Sequence, residues 1–260
     1  MILNEIAAKT IKRIEQKKSV LPQAQLEKQA TALPLSTDFP FEQALQKPGI
    51  SFICEVKKAS PSKGVISRSF PYLDIAREYE QAGANAISVL TEPYYFLGNN
   101  QYLEEIAGSV QIPVLRKDFV VDPYMVYEAK VFGASAVLLI CSLLTLQQLK
   151  EYLSLCHFLG LSALVEAHTK EEIHMAVEAG ARIIGVNNRN LQTFSVDFSN
   201  SLSMREFIPS GTLFVAESGI QTHEDICALK SAGVDGVLVG EILMRSQNKR
   251  AKLAYLKHGI

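Results

Sequence analysis

The chain has 260 residues, of which 48% are hydrophobic and 20% charged, and its formal net charge is −1. This length and composition suit one large domain with an ample core. The balanced charge lacks the excess of basic residues that is typical of proteins that bind nucleic acids or membrane surfaces. Because no apolar run reaches the ~18 residues needed to span a bilayer and the N-terminus lacks a signal-peptide pattern, we expect a cytoplasmic protein.

The first 48 residues carry two helical patterns, the second of which ends at Pro48-Gly49. Apolar residues with helical spacing mark them: Leu3, Ile6, Ile11 and Ile14 in the first, and Phe41, Ala44 and Leu45 in the second. We interpret residues 1–48 as a helical extension that packs on a barrel formed by residues 49–260, within one domain. The sequence does not indicate which end of the barrel the extension covers.

From residue 49 onward the chain repeats a unit that ends in glycine. In "QAGANAISVL", "VFGASAVLLI", "EAGARIIGV" and "SAGVDGVLVG", a helical pattern closes at Gly83, Gly133, Gly180 or Gly233 and an apolar strand follows. Glycine just past a helix end is the usual C-terminal cap. The glycines are 50, 47 and 53 residues apart, which is room for two strand–helix units per repeat.

A second set of strands lies where this spacing requires it, in "SFICEV", "IPVLRKDF", "LSALVEAH" and "TLFVAES". Eight strands alternating with helices predict an α/β protein with a closed (β/α)8 TIM barrel. An open doubly wound sheet is the alternative. The sequence lacks the G-x-G-x-x-G and P-loop fingerprints that would support a nucleotide-binding open sheet.

Charged and amide residues follow the apolar runs of the predicted strands, at the end where barrel enzymes have their active sites. Glu55 and Lys57 are two residues apart and share one face of their strand, while Phe52, Cys54 and Val56 occupy the other. Other strand ends contribute Arg116, Lys117, Asp118, Glu166, Asn187, Arg189 and Glu217. Any one of these residues can be structural, for example in an ion pair, but the set predicts an active site.

Two further strand ends indicate a phosphate ligand. Ser218-Gly219 follows the seventh predicted strand and Gly240 the eighth, where barrel enzymes commonly bind phosphate through backbone N–H groups. Ser60, after the first strand, can add a hydroxyl. Glycine after a strand is also ordinary turn chemistry, so the argument depends on both positions together.

The four cysteines and five histidines give no indication of a metal site. No C-x-x-C pair or H-E-x-x-H spacing occurs, and Cys54, Cys141 and Cys227 lie in apolar segments. We predict reduced cysteines in the core, no disulfide and no bound metal.

Seven segments, "EVKKASPSKG", "SVLTEPYYFLGN", "PVLRKDFVVDPY", "LVEAH", "IIGVNNRNL", "AESGI" and "VLVGEILM", give the chain a close resemblance to the indole-3-glycerol-phosphate synthase family. They occur in the family's order across nearly all of the barrel. The resemblance implies a lyase of tryptophan biosynthesis that closes the indole ring of 1-(2-carboxyphenylamino)-1-deoxyribulose 5-phosphate and releases carbon dioxide and water.

The resemblance also implies no cofactor and, as its partner, one small phosphorylated substrate. The enzyme is expected to be monofunctional, because the chain ends shortly after the eighth strand, and to be a monomer or a weak homodimer. The family's general acid matches Lys117. The carboxylate that the family uses in the final dehydration matches Glu166, with Lys57 as second proton donor. Which lysine acts in which step stays open.

The remaining site residues follow from the same resemblance and from charge. Glu55 and Glu217 are expected to be counter-charges of the lysines, and Asn187 to hold Glu166 or a substrate hydroxyl. The expected substrate-binding residues are Ser60, Phe96, Phe119, Arg189, Leu191, Ser218, Gly219 and Gly240. Glu241 departs from the family, some members of which have serine there, and we expect its carboxylate to turn away from the phosphate.

Two other functions remain open on the residues alone. One is a different phosphosugar barrel enzyme, an isomerase or a Schiff-base aldolase with Lys117 as its nucleophile. The other is a non-catalytic barrel that only binds a phosphate ligand. The number of basic and acidic groups at one end of the barrel favours an anionic, anthranilate-bearing substrate and catalysis.

Overall fold

The apolar runs at the strand positions pair in parallel and close on themselves. The computed structural model describes residues 2–190 and 194–259. The barrel strands are β1 (Ser51–Val56), β4 (Ala86–Leu90), β5 (Val114–Lys117), β6 (Ala136–Ile140), β7 (Ser162–Ala167), β8 (Ile183–Asn187), β9 (Leu213–Glu217) and β10 (Gly236–Val239). Neighbours pair in chain order from β4 to β10, and β1 pairs with both β4 and β10. The predicted closed barrel is confirmed, and the open sheet is excluded.

Helices follow the barrel strands and cover their outer side. They are α4 (Tyr72–Gln81), α5 (Asn100–Ala107), α6 (Tyr124–Val131), α7 (Leu146–Phe158), α8 (Lys170–Glu178), α9 (Ser199–Met204), α10 (His223–Ser231), α11 (Glu241–Arg245) and α12 (Lys249–Leu256). The four repeat glycines have φ between +75° and +86°, the left-handed conformation in which glycine ends a helix at least cost. Within the described ranges, no helix is long and apolar enough to cross a bilayer.

The core has two layers, because successive side chains of a strand point to opposite faces. Phe52, Cys54 and Val56 pack between β1 and the helices, as the alternation predicts. Ile53 points into the barrel, where it packs among inward-facing residues such as Leu115 and Leu238.

The N-terminal extension contains three helices rather than two, and it covers both ends of the barrel. Helix α1 (Ile2–Val20) lies at the carboxyl ends of the strands, where Arg13 contacts Asp118. Helix α2 (Gln23–Ala32) packs against α6, and α3 (Pro40–Leu45) lies at the opposite end of the barrel. There Ser51, at the start of β1, donates a hydrogen bond of 2.7 Å to the Ala44 carbonyl.

Cys227 and the loop after β1 differ from what the sequence predicts. The prediction that Cys227 lies in apolar surroundings is wrong. Helix α10 buries Ile226 and Leu229 against the barrel, and Cys227 lies on its exposed side. Cys54, Cys141 and Cys156 are buried. All four thiols are free. A short antiparallel hairpin, β2 (Ala59–Ser60) and β3 (Gly64–Val65), interrupts the loop after β1 and was not predicted.

Candidate active site

A cavity of about 630 Å³ opens at the carboxyl ends of the barrel strands. The predicted site residues that line it are Glu55, Lys57, Ser60, Phe96, Lys117, Phe119, Glu166, Asn187, Arg189, Ser218, Gly219 and Gly240. Glu217 lies just beneath this lining, with a fully buried side chain. Leu191 lies outside the described residues. One concave site therefore brings together nearly the whole predicted set.

Lys117, at the end of β5, is the centre of a cluster of carboxylates. Its Nζ donates a hydrogen bond of 2.6 Å to Oε2 of Glu217. The same Nζ lies 3.9 Å from Oε1 of Glu55 and 3.8 Å from Oε2 of Glu166. The three carboxylates come from β1, β7 and β9, so the closure of the barrel assembles the cluster.

Burial by itself would lower the pKa of Lys117, but the attraction of Glu217, Glu55 and Glu166 outweighs it and raises that pKa well above its ordinary value. Burial would raise the pKa of Glu55, yet Lys57 and Lys117 outweigh burial there and lower it. Lys117 is therefore an ammonium group and Glu55 a carboxylate at neutral pH.

Glu217 behaves differently from Glu55. Burial, opposed by Lys117 but reinforced by repulsion from Glu166 and Glu55, raises the pKa of Glu217 to about 7. Its Oε1 has no hydrogen-bond partner among the described residues. A Cβ atom added to Gly185, on the neighbouring strand β8, would overlap that oxygen. Gly185 thus leaves the space in which the Glu217 side chain lies.

Gly240 has a similar role beside the Glu55–Lys57 ion pair. Lys57 Nζ donates a short hydrogen bond to Glu55 Oε2. A Cβ atom on Gly240 would overlap Glu55 Oε2 and approach Lys57 Nζ to 3.0 Å. The close approach of this pair to the backbone is a reason for glycine at position 240 that the sequence did not indicate.

The loop after β9 has an unusual backbone. Ser218 has φ +67° and Gly219 φ +82°, so two successive residues are left-handed, which is costly for a serine. Asn188 supports this turn, because its Nδ2 donates to the Ser218 carbonyl at 3.0 Å while its Oδ1 accepts the N–H of Ser201 at 2.9 Å. Asn188 was missed as a site residue, because an amide in a polar loop carries no distinctive pattern.

The rim of the cavity beside this loop is basic. Arg189 donates to the Phe194 carbonyl at 3.2 Å and to Ser62 Oγ at 3.5 Å. Lys63 and Arg245 also line the cavity, and both face Glu241, at 3.8 Å and 3.0 Å. Neither cation was predicted as a site residue, although Arg245 stands four residues after Glu241 in a helical pattern. The Glu241 carboxylate is thus neutralised by two cations.

The opposite wall of the cavity is apolar. The rings of Phe96 and Phe119 lie 5.9 Å apart between centroids, inclined by 40°. Asn187 borders the cavity at the end of β8, and its Oδ1 accepts the backbone N–H of Arg189 at 3.0 Å. Among the described residues, Asn187 makes no hydrogen bond to Glu166, one of the two partners expected for it.

Two of the charged residues at strand ends, Arg116 and Asp118, belong to a structural network, and Asp118 also borders the cavity. Arg116 is fully buried and lies 3.0 Å from Glu128 and 3.3 Å from Asp118. Asp118 also receives two hydrogen bonds of 2.9 Å from Arg13 of α1. Within the described part of the chain, no group of three or more histidine, cysteine or acidic residues is arranged to hold a metal ion.

The chain is similar to one protein family over almost its full length. Residues 3–256 match the family model described as indole-3-glycerol phosphate synthase. A protein of that name from Ruminiclostridium cellulolyticum is 54% identical over 257 residues, covering 99% of each chain, and one from Endomicrobium trichonymphae is 53% identical, covering 99% of this chain and 100% of its own. The structure of KGPDC from Streptococcus mutans has the same fold, with a TM-score of 0.63 at 12% identity over 80% of this chain and 95% of that one.

Proposed function

The chain belongs to the indole-3-glycerol phosphate synthase family, and we propose here which of its side chains carry each part of that reaction. The function is that of a decarboxylating lyase of tryptophan biosynthesis, and the enzyme binds a small phosphorylated substrate. Ring closure joins an aromatic carbon to the substrate's ketone carbon. Loss of carbon dioxide and then of water completes the indole.

Lys117 is the proposed general acid of ring closure. As the aromatic carbon attacks, the ketone oxygen gains an electron pair and takes a proton from the Lys117 ammonium group. Lys117 lies among three carboxylates that hold its pKa high, and this is the observation on which the proposed function depends most. A Schiff-base aldolase needs a neutral amine at this position, which the same carboxylates oppose.

Glu166 and Lys57 are proposed for the dehydration. Glu166 removes a proton from the ring carbon next to the substrate nitrogen, and Lys57 donates one to the hydroxyl that leaves the neighbouring carbon. Water thus departs as the double bond between these two carbons forms, and the nitrogen keeps its hydrogen. Glu166 has the required access, since its carboxylate borders the cavity 3.8 Å from Lys117. Lys57 also borders the cavity, on the side of Glu55.

Glu55 and Glu217 act as the counter-charges of Lys57 and Lys117: they orient both lysines and keep Lys117 protonated. This role is supported by their burial and by their direct ion pairs with the two lysines. Asn187 is proposed to donate its amide N–H groups to a substrate hydroxyl, since its oxygen already accepts the backbone N–H of Arg189.

Substrate binding divides between a polar rim and an apolar wall. The phosphate is proposed to lie against the backbone of Ser218, Gly219 and Gly240, with Ser60 and Arg189 beside it. The left-handed turn at Ser218 and Gly219 supports this, because successive N–H groups in such turns point towards one anion. The anthranilate ring is proposed to pack on Phe96 and Phe119, and Leu191 stays a prediction.

One assay tests the function directly. Purified protein incubated with 1-(2-carboxyphenylamino)-1-deoxyribulose 5-phosphate should produce indole fluorescence, and a lack of product would contradict the assignment. Borohydride reduction in the presence of substrate should trap no covalent adduct on Lys117.

All proposed residues come from one barrel, so we also propose that the monomer is active, which the size of the active species would test. We further propose that the enzyme works in the cytoplasm.

A further inference from the structure

His168 follows β7 and lies between two carboxylates. Its Nδ1 is 3.3 Å from Oε2 of Glu172, and its Nε2 is 3.5 Å from Oε1 of Glu166. The Nε2 atom is buried and has no hydrogen-bond partner among the described residues. A buried polar atom is rarely left without a partner, so this nitrogen calls for an explanation.

The side of the ring that faces Glu172 is held firmly. Helix α8 begins after Thr169, whose Oγ1 accepts the N–H of Glu172 at 3.3 Å. In return, Oε2 of Glu172 accepts the backbone N–H of His168 at 2.6 Å. The Nδ1–H group therefore donates to a carboxylate whose position is fixed by the helix start, and this orients Nε2 towards Glu166.

The state of Nε2 then depends on Glu166. A neutral imidazole with its proton on Nδ1 presents a lone pair at Nε2, which repels an ionised carboxylate. An imidazolium presents an N–H there, which a carboxylate accepts. The favourable arrangements are thus an imidazolium beside an ionised Glu166, or a neutral ring beside a protonated Glu166. In both of them the two side chains share one proton.

We propose that His168 is a positioning residue that holds the Glu166 carboxylate in place and shares one proton with it. This inference rests on the proposed proton transfer by Glu166. The two carboxylate oxygens of Glu166 face different basic groups, since Oε2 lies towards Lys117 and Oε1 towards His168. His168 thus fixes the rotation of the carboxylate from the side opposite to Lys117, so that Glu166 is ionised and aimed at the cavity when it must accept a proton.

The surroundings of the ring define the expected pH dependence. Glu166 from β7, Glu172 from α8 and, at longer range, Glu217 from β9 face His168. Burial would lower the pKa of His168, but hydrogen bonding to Glu172 and the charges of the three glutamates raise it above its ordinary value. Turnover should fall as the pH rises through this raised pKa, because the neutral ring no longer donates to Glu166.

Two substitutions separate the two nitrogens of the ring. His168→Asn keeps an N–H donor near the position of Nδ1 but removes the group that faces Glu166. His168→Gln keeps a donor near Nε2 that cannot titrate. We expect H168N to lower kcat by about 10- to 100-fold, as for lost orienting partners of reactive groups, with little change in KM. H168Q should recover most of the rate and lose the fall at high pH.

Additivity distinguishes a role through Glu166 from a general structural role. If His168 acts through Glu166, the double variant H168N/E166Q should be no slower than E166Q alone, whereas independent effects would multiply. Wild-type kcat and pH profile in H168N, or multiplying effects in folded proteins, would overturn the role of His168. Wild-type turnover in E166Q would instead overturn the proposed role of Glu166 itself, so the two failures are distinguishable.

Discussion

The Nζ atom of Lys117 lies 2.6 Å from Oε2 of Glu217, a residue 100 positions later in the chain. The two residues end strands β5 and β9, which do not pair with each other but face one another across the barrel mouth. Their side chains are 15% and 1% exposed. In so little water a charge is stabilised mainly by its neighbours, so the protonation of each residue depends on the other.

Replacement of Lys117 by methionine should remove most of the turnover. The variant keeps the length of the side chain but has no proton to donate, and a lost general acid typically costs ~100- to 10,000-fold in rate. Steady-state assays of indole formation measure the effect. Lys58→Met is the matched control, since Lys58 adjoins Lys57 but does not line the cavity. Normal turnover in K117M would refute the assignment.

The pH dependence of kcat/KM should report on Glu217. Because the pKa of Glu217 is raised to about 7, this residue becomes protonated as the pH falls below neutrality, and Lys117 loses its nearest counter-charge. We expect kcat/KM to decline on the acidic side with a midpoint near that value. In Glu217→Gln the overall rate should be lower and this decline absent. An unchanged acidic limb in E217Q would assign the decline to another group.

The same pKa has a consequence for stability. The native state holds the Glu217 proton more tightly than the unfolded chain does, whose carboxyl has an ordinary pKa of 4.5. The contribution of this group to the free energy of unfolding is therefore complete below that value and is lost as the pH rises to about 7. Urea unfolding should show that E217Q gains stability relative to the wild type over this interval.

Gly185 should be essential for the position of Glu217. A methyl group there would overlap Oε1 of Glu217 and crowd Leu164 at 3.1 Å. We expect Gly185→Ala to displace the carboxylate from Lys117 and to lower kcat at least about tenfold, since displaced catalytic groups lose such factors readily. Gly108→Ala is the control, because its new methyl would meet its nearest atom at 3.5 Å. Equal kcat in both variants would contradict the argument.

Local patterns predicted the strands and their inward-facing ends, because side-chain alternation and glycine caps are properties of short segments. Glu55 and Lys57 could be placed on one face of their strand in this way, and Lys117 and Glu166 at the ends of theirs. Their mutual distances could not, since these depend on which strands face one another after the barrel closes. For the same reason the raised pKa of Glu217 has no signal in the sequence.

Other features were missed because their cause lies outside their own segment. Asn188 supports Ser218 through a contact 30 residues away in the chain, and an asparagine in a polar loop predicts nothing so specific. The exposure of Cys227 depends on how α10 rotates against the barrel. His168 does stand two residues after Glu166, so the alternation of β7 contained a usable indication of their proximity.

Arg13 should couple the extension to the barrel. It is nearly buried and donates two hydrogen bonds of 2.9 Å to Asp118, beside Lys117. Removal of one partner of a buried ion pair costs about 3–5 kcal/mol, and the lower end is expected because Arg116 still faces Asp118. Urea unfolding of Arg13→Met should show this loss, whereas the exposed Lys12→Met should not.

That experiment also tests the organisation of the chain. If the extension and the barrel form one domain, R13M should unfold in one transition at a lower urea concentration. Its kcat should fall as well, because Asp118 accepts the N–H of Phe119 at 2.9 Å and so shapes the end of β5. A separate early transition with an unaffected barrel would show that the extension unfolds independently.

Glu241 should weaken the binding of the substrate's phosphate. Glu241 lines the cavity, and its carboxylate faces Arg245 at 3.0 Å and Lys63 at 3.8 Å, two cations that an incoming anion could use. Glu241→Gln removes the competing charge at a partly exposed site, where one such interaction is worth about 0.2–1 kcal/mol, or up to roughly fivefold in KM. KM should decrease and kcat stay constant, and the difference from the wild type should shrink as ionic strength rises.

The control is Glu224→Gln at an exposed position away from the cavity. It changes the net charge by the same amount and should leave KM unchanged. A higher KM in E241Q would mean that Glu241 instead holds Lys63 and Arg245 in the positions that bind the phosphate.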